Sequence, residues 1–178
     1  FNSTIYFFVF LTAILTVPLV YVAMADQMVS TVLHWMAFFF SSTLFLMAFY
    51  WVSFREEFER KWTKLPVFVW RFFQYLTVSL GLSYYNTRGI VQAYSGKKTA
   101  FIRTPKFNNS KKNDWKKNSY LLNSISFSTV IEGLLCIYFA VGIVISFVFG
   151  FYGMIPFQLI LMLGFGLIFW YTIREGNS

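Results

Sequence analysis

Three blocks of near-continuous apolar sequence, at residues 5–25, 31–52 and about 131–150, and a fourth at 157–173, constrain this chain more than anything else in it. At 1.5 Å of rise per residue, a helix of some 20 residues covers about 30 Å, the thickness of the bilayer hydrocarbon. Only 12% of the 178 residues are charged, about half of what a soluble domain carries. The blocks are also continuous, where a soluble core would show helical or alternating periodicity. The expected class is therefore an all-α integral membrane protein with the lipid bilayer as its first partner.

The blocks differ in detail. Residues 5–25 contain Pro18, which removes one backbone donor and is expected to bend the helix. Asp26-Gln27 ends the block, and so few residues precede the second span that the two form a hairpin. Trp35, Tyr50 and Trp51 lie near the ends of the second span, where aromatic anchors gather; lining a solute path is the less favoured role. In the third span Gly142, Ser146 and Gly150 make a small-residue line that permits close packing. Glu132 stands at its mouth, where a solvated boundary acid and a functional intramembrane acid are equally open. Phe151-Tyr152-Gly153 turns the chain, and Pro156 suits the first turn of the returning helix.

Residues 67–94 are harder to place. Arg71, Gln74, Gly81, Arg88 and Gln92 recur as one helical stripe opposite Trp70, Phe73, Leu80 and Tyr84. This predicts an amphipathic helix at the interface, flat or re-entrant. Charge counting points the same way. Residues 54–66 hold four Lys and Arg and residues 96–118 hold eight, while 25–30 and 150–156 hold none. Both basic segments fall on the cytoplasmic side only if 67–94 does not cross. The resulting division is a transmembrane hairpin at 1–54, a connector and interface helix at 55–95, a basic loop at 96–118 and a second hairpin at 119–178, with a cytoplasmic C-terminus.

The net charge of +8 does not imply nucleic acid. Nine of the fifteen Lys and Arg lie between Arg88 and Lys117 and the rest mostly beside apolar blocks. That distribution serves topology and anionic head groups, and no nucleic-acid-binding module is present. Cys136 and His34 are the only residues of their kinds, so an intrachain disulfide or a cysteine metal site is excluded, and with the one His inside an apolar span no nucleophile–His–acid set is expected. Glu56, Glu57 and Glu59 face Arg60, Lys61 and Lys64 at helical spacing, a solvated face rather than an acid–base pair. No phosphate-binding glycine pattern or Asp-x-Asp pair occurs. A transporter would require polar groups at mid-membrane, and the apolar blocks offer almost none.

The polar stretch 81–107, GLSYYNTRGIVQAYSGKKTAFIRTPKF, is the place for a polar ligand. Arg103 and Lys106 suit phosphate oxygens, Thr104 adds a hydroxyl, and Pro105 stiffens the backbone. Phe101 and Phe107 suit a base, a sugar face or lipid. On these residues alone, a basic juxtamembrane loop that binds lipid head groups is the better description.

This stretch resembles the segment that follows the catalytic domain in membrane-embedded family 2 glycosyltransferases of the cellulose-synthase-like branch. Members often show an Asn-x-Arg (here Asn86 and Arg88), a Gly-Lys or Gly-Arg, and a Phe-x-Arg-Thr-Pro-Lys-aromatic run (here 101–107). The resemblance extends weakly to Glu132-Gly133-Leu134-Leu135, Phe151-Tyr152-Gly153 and Pro156. It implies two spans, an interface helix, a gating-type loop and two more spans. Cellulose synthases carry a Phe-x-Val-Thr-x-Lys loop here that closes over the nucleotide sugar. By that likeness Phe101, Arg103, Thr104 and Lys106 cap a nucleotide diphosphate, with Arg103 departing from the Val and Pro105 stiffening the loop.

The resemblance also implies an inverting β-glycosyltransferase that uses UDP-glucose or a similar donor on a growing glycan or lipid acceptor in a bacterial inner membrane. Its acidic nucleotide and metal ligands, its Asp base, its Gln-x-x-Arg-Trp motif and its Mg or Mn ion are expected before Phe1 or on another chain. The alternative is a non-catalytic membrane subunit that anchors a larger complex.

Overall fold

The computed structural model describes residues 2–36, 41–57, 62–96 and 127–176. The described residues are almost entirely helical. They form α1 (Asn2–Ala25), α2 (Gln27–Met36), α3 (Ser41–Glu57), α4 (Leu65–Gly81), α5 (Ser83–Tyr94), α6 (Phe127–Val148) and α7 (Ile155–Gly176), with single 3-10 turns leading into α4 and α7.

Four helical stretches are long and apolar enough to cross a membrane: Thr4–Ala25, Leu65–Tyr94, Phe127–Val148 and Tyr152–Arg174. This is compatible with a multi-pass membrane protein, and the distribution of side chains agrees. Large apolar residues such as Phe45, Trp70, Leu134, Phe147 and Trp170 face outward, while Thr129, Glu132, Ser146 and Gln158 are fully buried. A bundle whose solvent is lipid has no reason to hide Phe and Leu, and every reason to turn its polar groups inward.

The four stretches are not the four that the apolar blocks suggest. Residues 31–52 fall on α2 and α3, with 37–40 outside the described residues, whereas Leu65–Tyr94 joins the set. The amphipathic stripe of that segment is met only in part. Arg71, Gln74 and Arg88 are exposed and Leu80 and Tyr84 pack against the core, but Trp70 and Phe73 of the expected apolar face are exposed as well. Trp70, Phe73, Tyr75, Val78 and Leu82 face outward; Phe68 and Phe72 are buried in the first half, and Thr77, Gly81, Ser83 and Thr87 form the buried seam beyond them. Gly81 of the expected polar stripe is thus buried. The backbone runs on from α4 to α5, Leu82 N–H bonding to Val78 and Asn86 N–H to Leu82.

The seam needs small residues because α4 crosses α7 almost backbone to backbone. A Cβ on Gly81 would stand 2.6 Å from the Gly164 carbonyl oxygen, and one on Gly164 would stand 2.5 Å from that of Thr77. Gly164 lies near the middle of the 22-residue α7, so the α4–α5 rod meets α7 half-way along its length. α5 then runs antiparallel to α1: Tyr84 meets the ring of Phe10, and the Thr87 hydroxyl donates to the Tyr6 carbonyl at 3.3 Å. The core at this depth is Ala13, Val17, Phe139, Leu161 and Phe165, with Phe139 and Phe165 stacked 5.8 Å apart.

The turns at the opposite end follow from local chemistry. Asp26 accepts from the amides of Met28 (2.7 Å) and Val29 (3.4 Å), so it caps α2 and separates it from α1. α6 ends in a Schellman motif: Gly150 has φ +79°, its N–H bonds to Phe147, and Phe151 N–H bonds to Ser146 at 2.8 Å. Gly150 is therefore a turn residue, and only Gly142 and Ser146 of the expected small-residue line pack inside. Leu33 of α2 closes over Val20, Ala23, Phe151 and Met154. α3 joins α4 through aromatic rings, Trp51 and Phe54 on Phe68 and Tyr50 on Phe72. Trp35 faces outward.

Candidate functional site

Phe101, Arg103, Thr104 and Lys106 lie outside the described residues, as does the rest of 97–126. What the structure does place is the framework at both ends of that segment. Asn86 and Arg88 sit on α5, which is followed by the turn at Ser95 and Gly96, and α6 begins at Phe127. The N-terminal end of α1, the C-terminal end of α5, the N-terminal end of α6 and the C-terminal end of α7 share this end of the bundle.

Polar side chains gather there. The Arg88 guanidinium donates from Nη1 to the hydroxyl of Ser128, the second residue of α6. Tyr85, three residues before Arg88, turns its hydroxyl toward Glu132, four residues after Ser128. The two pairs stack one helical turn apart, as antiparallel helices require. Glu132 has 0% of its surface exposed, and neither of its oxygens has a donor in hydrogen-bond geometry among the described residues. Thr129, one turn from Glu132 on α6, is also buried with its hydroxyl unpartnered. The open choice over Glu132 thus resolves toward burial: it is an enclosed carboxylate about 8 Å along α6 from its start. Asn86 is half-buried beside this cluster in sequence.

A second polar group sits toward the other end. The Ser146 hydroxyl donates to Gln158 Oε1 at 3.1 Å; both residues are fully buried, and Gln158 Nε2 has no partner among the described residues. Gln158 packs against Gly142, where a Cβ would lie 3.2 Å from Nε2. The chain is therefore richer in buried polar groups than its apolar blocks suggest. Gln158 itself was visible as a lone amide at the start of the fourth block. Tyr85, Thr129 and Tyr138 carry no sequence signal, because only their partners across helices give them a role.

Cys136 is half-buried and packs near Gly166, a structural position as expected. His34 lies on exposed α2, its Nδ1 2.8 Å from the Ser30 carbonyl and its ring against Phe151. Among the described residues no three His, Cys, Asp or Glu side chains come together as a metal site. Comparison of the chain with protein-family models, with curated proteins and with solved structures finds no match.

Proposed function

We propose that this chain is the membrane portion of an inverting β-glycosyltransferase that builds a polysaccharide or glycolipid from a nucleotide sugar. The observation that carries the proposal is the run from Asn86 and Arg88 to the Phe-Ile-Arg-Thr-Pro-Lys-Phe sequence at 101–107, between apolar helices. In this reading Arg103 and Lys106 neutralise the diphosphate, Thr104 donates to it, and Phe101 packs on the nucleotide as the loop closes. A divalent ion, Mg or Mn, bound by acidic residues outside these 178, would stabilise the leaving diphosphate. The acceptor hydroxyl would be deprotonated by a base that is likewise outside them.

Two features of the bundle support the reading. Arg88, which belongs to the motif, is engaged at the same end of the bundle from which residues 97–126 depart and to which they return. That end also carries Arg174 and is continuous with the eight cations of 96–118, whereas the turns at 25–30 and 150–156 have none. The basic end is accordingly assigned to the cytoplasm, in a bacterial inner membrane, with the C-terminus on the same side.

The packing also constrains how the chain gets there. α1 leaves the basic end and α5 returns to it, so the chain crosses an odd number of times between Ala25 and Ser95. Residues 31–52 and 65–94 therefore do not both cross completely. The lengthwise seam of α4–α5 on α7 and α1 favours the second as the crossing element. The four cations of 54–66 then lie at the end opposite the eight of 96–118, against the charge count, and packing outweighs it in this reading.

The test is transfer of labelled sugar from UDP-hexoses or GDP-mannose by the full-length polypeptide in proteoliposomes with Mg or Mn. Incorporation into polymer or lipid supports the proposal. Stable co-purification in a larger complex, with no sugar transfer from any of these donors, would assign the chain to the anchoring-subunit class.

A further inference from the structure

Ser128 and Glu132 occupy one face of α6, four residues apart, so their Cβ atoms are about 6 Å from each other. Arg88 reaches this face and uses only one of the two acceptors, the Ser128 hydroxyl. Glu132, one turn deeper, is enclosed with both oxygens unpartnered among the described residues, while the Tyr85 hydroxyl faces it and Thr129 lies beside it with its own hydroxyl free. An enclosed carboxyl group faced only by a tyrosine hydroxyl, with no cation on it among the described residues, is a costly arrangement in a helix bundle.

We infer that Arg88 has two seats on α6 and exchanges between the Ser128 hydroxyl, occupied here, and the Glu132 carboxylate one turn deeper. A guanidinium presents five donors in a planar fork that fits a carboxylate with two parallel bonds. Its flexible stem covers one helical pitch by a change of rotamer, with α5 in place. The two seats are balanced by opposing terms. On Ser128 the side chain of Arg88 is exposed and keeps its water. On Glu132 it gives up that water and gains an ion pair, and these two effects are of similar size in buried pairs.

The exchange matters to the fold because α5 packs mainly along α1, through Tyr84 on Phe10 and Thr87 on Tyr6. Arg88 on Ser128 and Tyr85 toward Glu132 tie it to α6. Which seat is taken sets how firmly the end of α5 is held there. Neither seat depends on the glycosyltransferase reading.

The test is amide hydrogen exchange over residues 89–95 in the full-length polypeptide in lipid nanodiscs. Arg88→Gln is made in four backgrounds: unchanged, Ser128→Ala, Glu132→Gln, and both. With two seats, Arg88→Gln speeds exchange roughly tenfold in the first three, the worth of one charge-assisted bond, and changes nothing in the fourth. No effect of Arg88→Gln in the Ser128→Ala background would leave Ser128 as the sole seat and overturn the inference. If Arg88→Gln does not fold, the background variants decide alone. Slow exchange in Ser128→Ala with fast exchange in the double variant supports two seats; fast exchange in Ser128→Ala overturns them.

Discussion

The hydroxyl of Tyr138 on α6 donates to the carbonyl of Ile14 on α1 at 2.6 Å. Ile14 is four residues before Pro18, so its carbonyl is the one that Pro18, having no N–H, leaves without an intrahelical donor. α1 stays helical from Asn2 to Ala25 through that proline. A neighbouring helix supplies the missing bond, as apolar surroundings demand of any freed backbone group. Tyr138→Phe is expected to destabilise the bundle by about 1 kcal/mol, the usual worth of such a bond in a membrane protein. In a Pro18→Ala background, where the restored backbone N–H can serve Ile14, the cost should fall by at least half. A thermal unfolding cycle in detergent measures this; an equal cost in both backgrounds would break the link between the two residues.

The Gly81–Gly164 crossing yields a sharper expectation. Alanine at either position puts a Cβ within 2.6 Å of a backbone oxygen across the helix pair, and backbone cannot move aside as a side chain can. Each substitution should cost about 2 kcal/mol or more through forced separation of α4 and α7. Gly89 has nothing within 4 Å of its Cβ direction, so Gly89→Ala should be neutral or stabilising by up to about 1 kcal/mol. Fluorescence-detected size exclusion after heating would rank the three variants, and a Gly81→Ala as stable as Gly89→Ala would rule out the close crossing.

Ser146 and Gln158 test the buried polar group. Ser146→Ala leaves both ends of the Gln158 amide unpaired and should cost about 1–3 kcal/mol. Replacing both at once, Ser146→Ala with Gln158→Leu, should be nearer to neutral than the single change, because no orphaned group remains. Thermal midpoints of the two variants decide it; a double variant worse than Ser146→Ala would mean that Gln158 has a role beyond this pair.

How much of this was legible beforehand depends on the segment. Residues 4–25, 127–148 and 152–174 emerged where apolar runs predicted them, because a run long enough to cross lipid has few alternatives. Residues 65–94 did not. Their polar positions were read as the stripe of an interface helix. Arg71, Gln74 and Arg88 do face outward, but so do Trp70 and Phe73, and the small residues Thr77, Gly81 and Thr87 pack inward, a division that no polarity pattern shows. The role of Gly81 was hidden because a glycine has no polarity to read, and its partner Gly164 is distant in sequence. The cluster at Glu132 was visible only in part. The acid itself was evident, but its enclosure and its neighbours Tyr85, Thr129 and Ser128 depend on which helix faces which.

Topology follows from the same packing. With Cys136 replaced by Ala, a single Cys at position 26 and one at position 109 should react with an impermeant maleimide from opposite faces of the membrane. Labelling of both from one face would contradict the parity that α1 and α5 impose.

The central claim is that the basic loop serves a nucleotide-sugar reaction, and Lys106→Ala tests it most directly. Sugar transfer by the full-length polypeptide in proteoliposomes should drop on the order of 10- to 100-fold on loss of one charged phosphate contact, with the amount of inserted protein unchanged. Turnover equal to that of the parent would contradict the account and leave residues 101–107 as a contact for lipid or a partner.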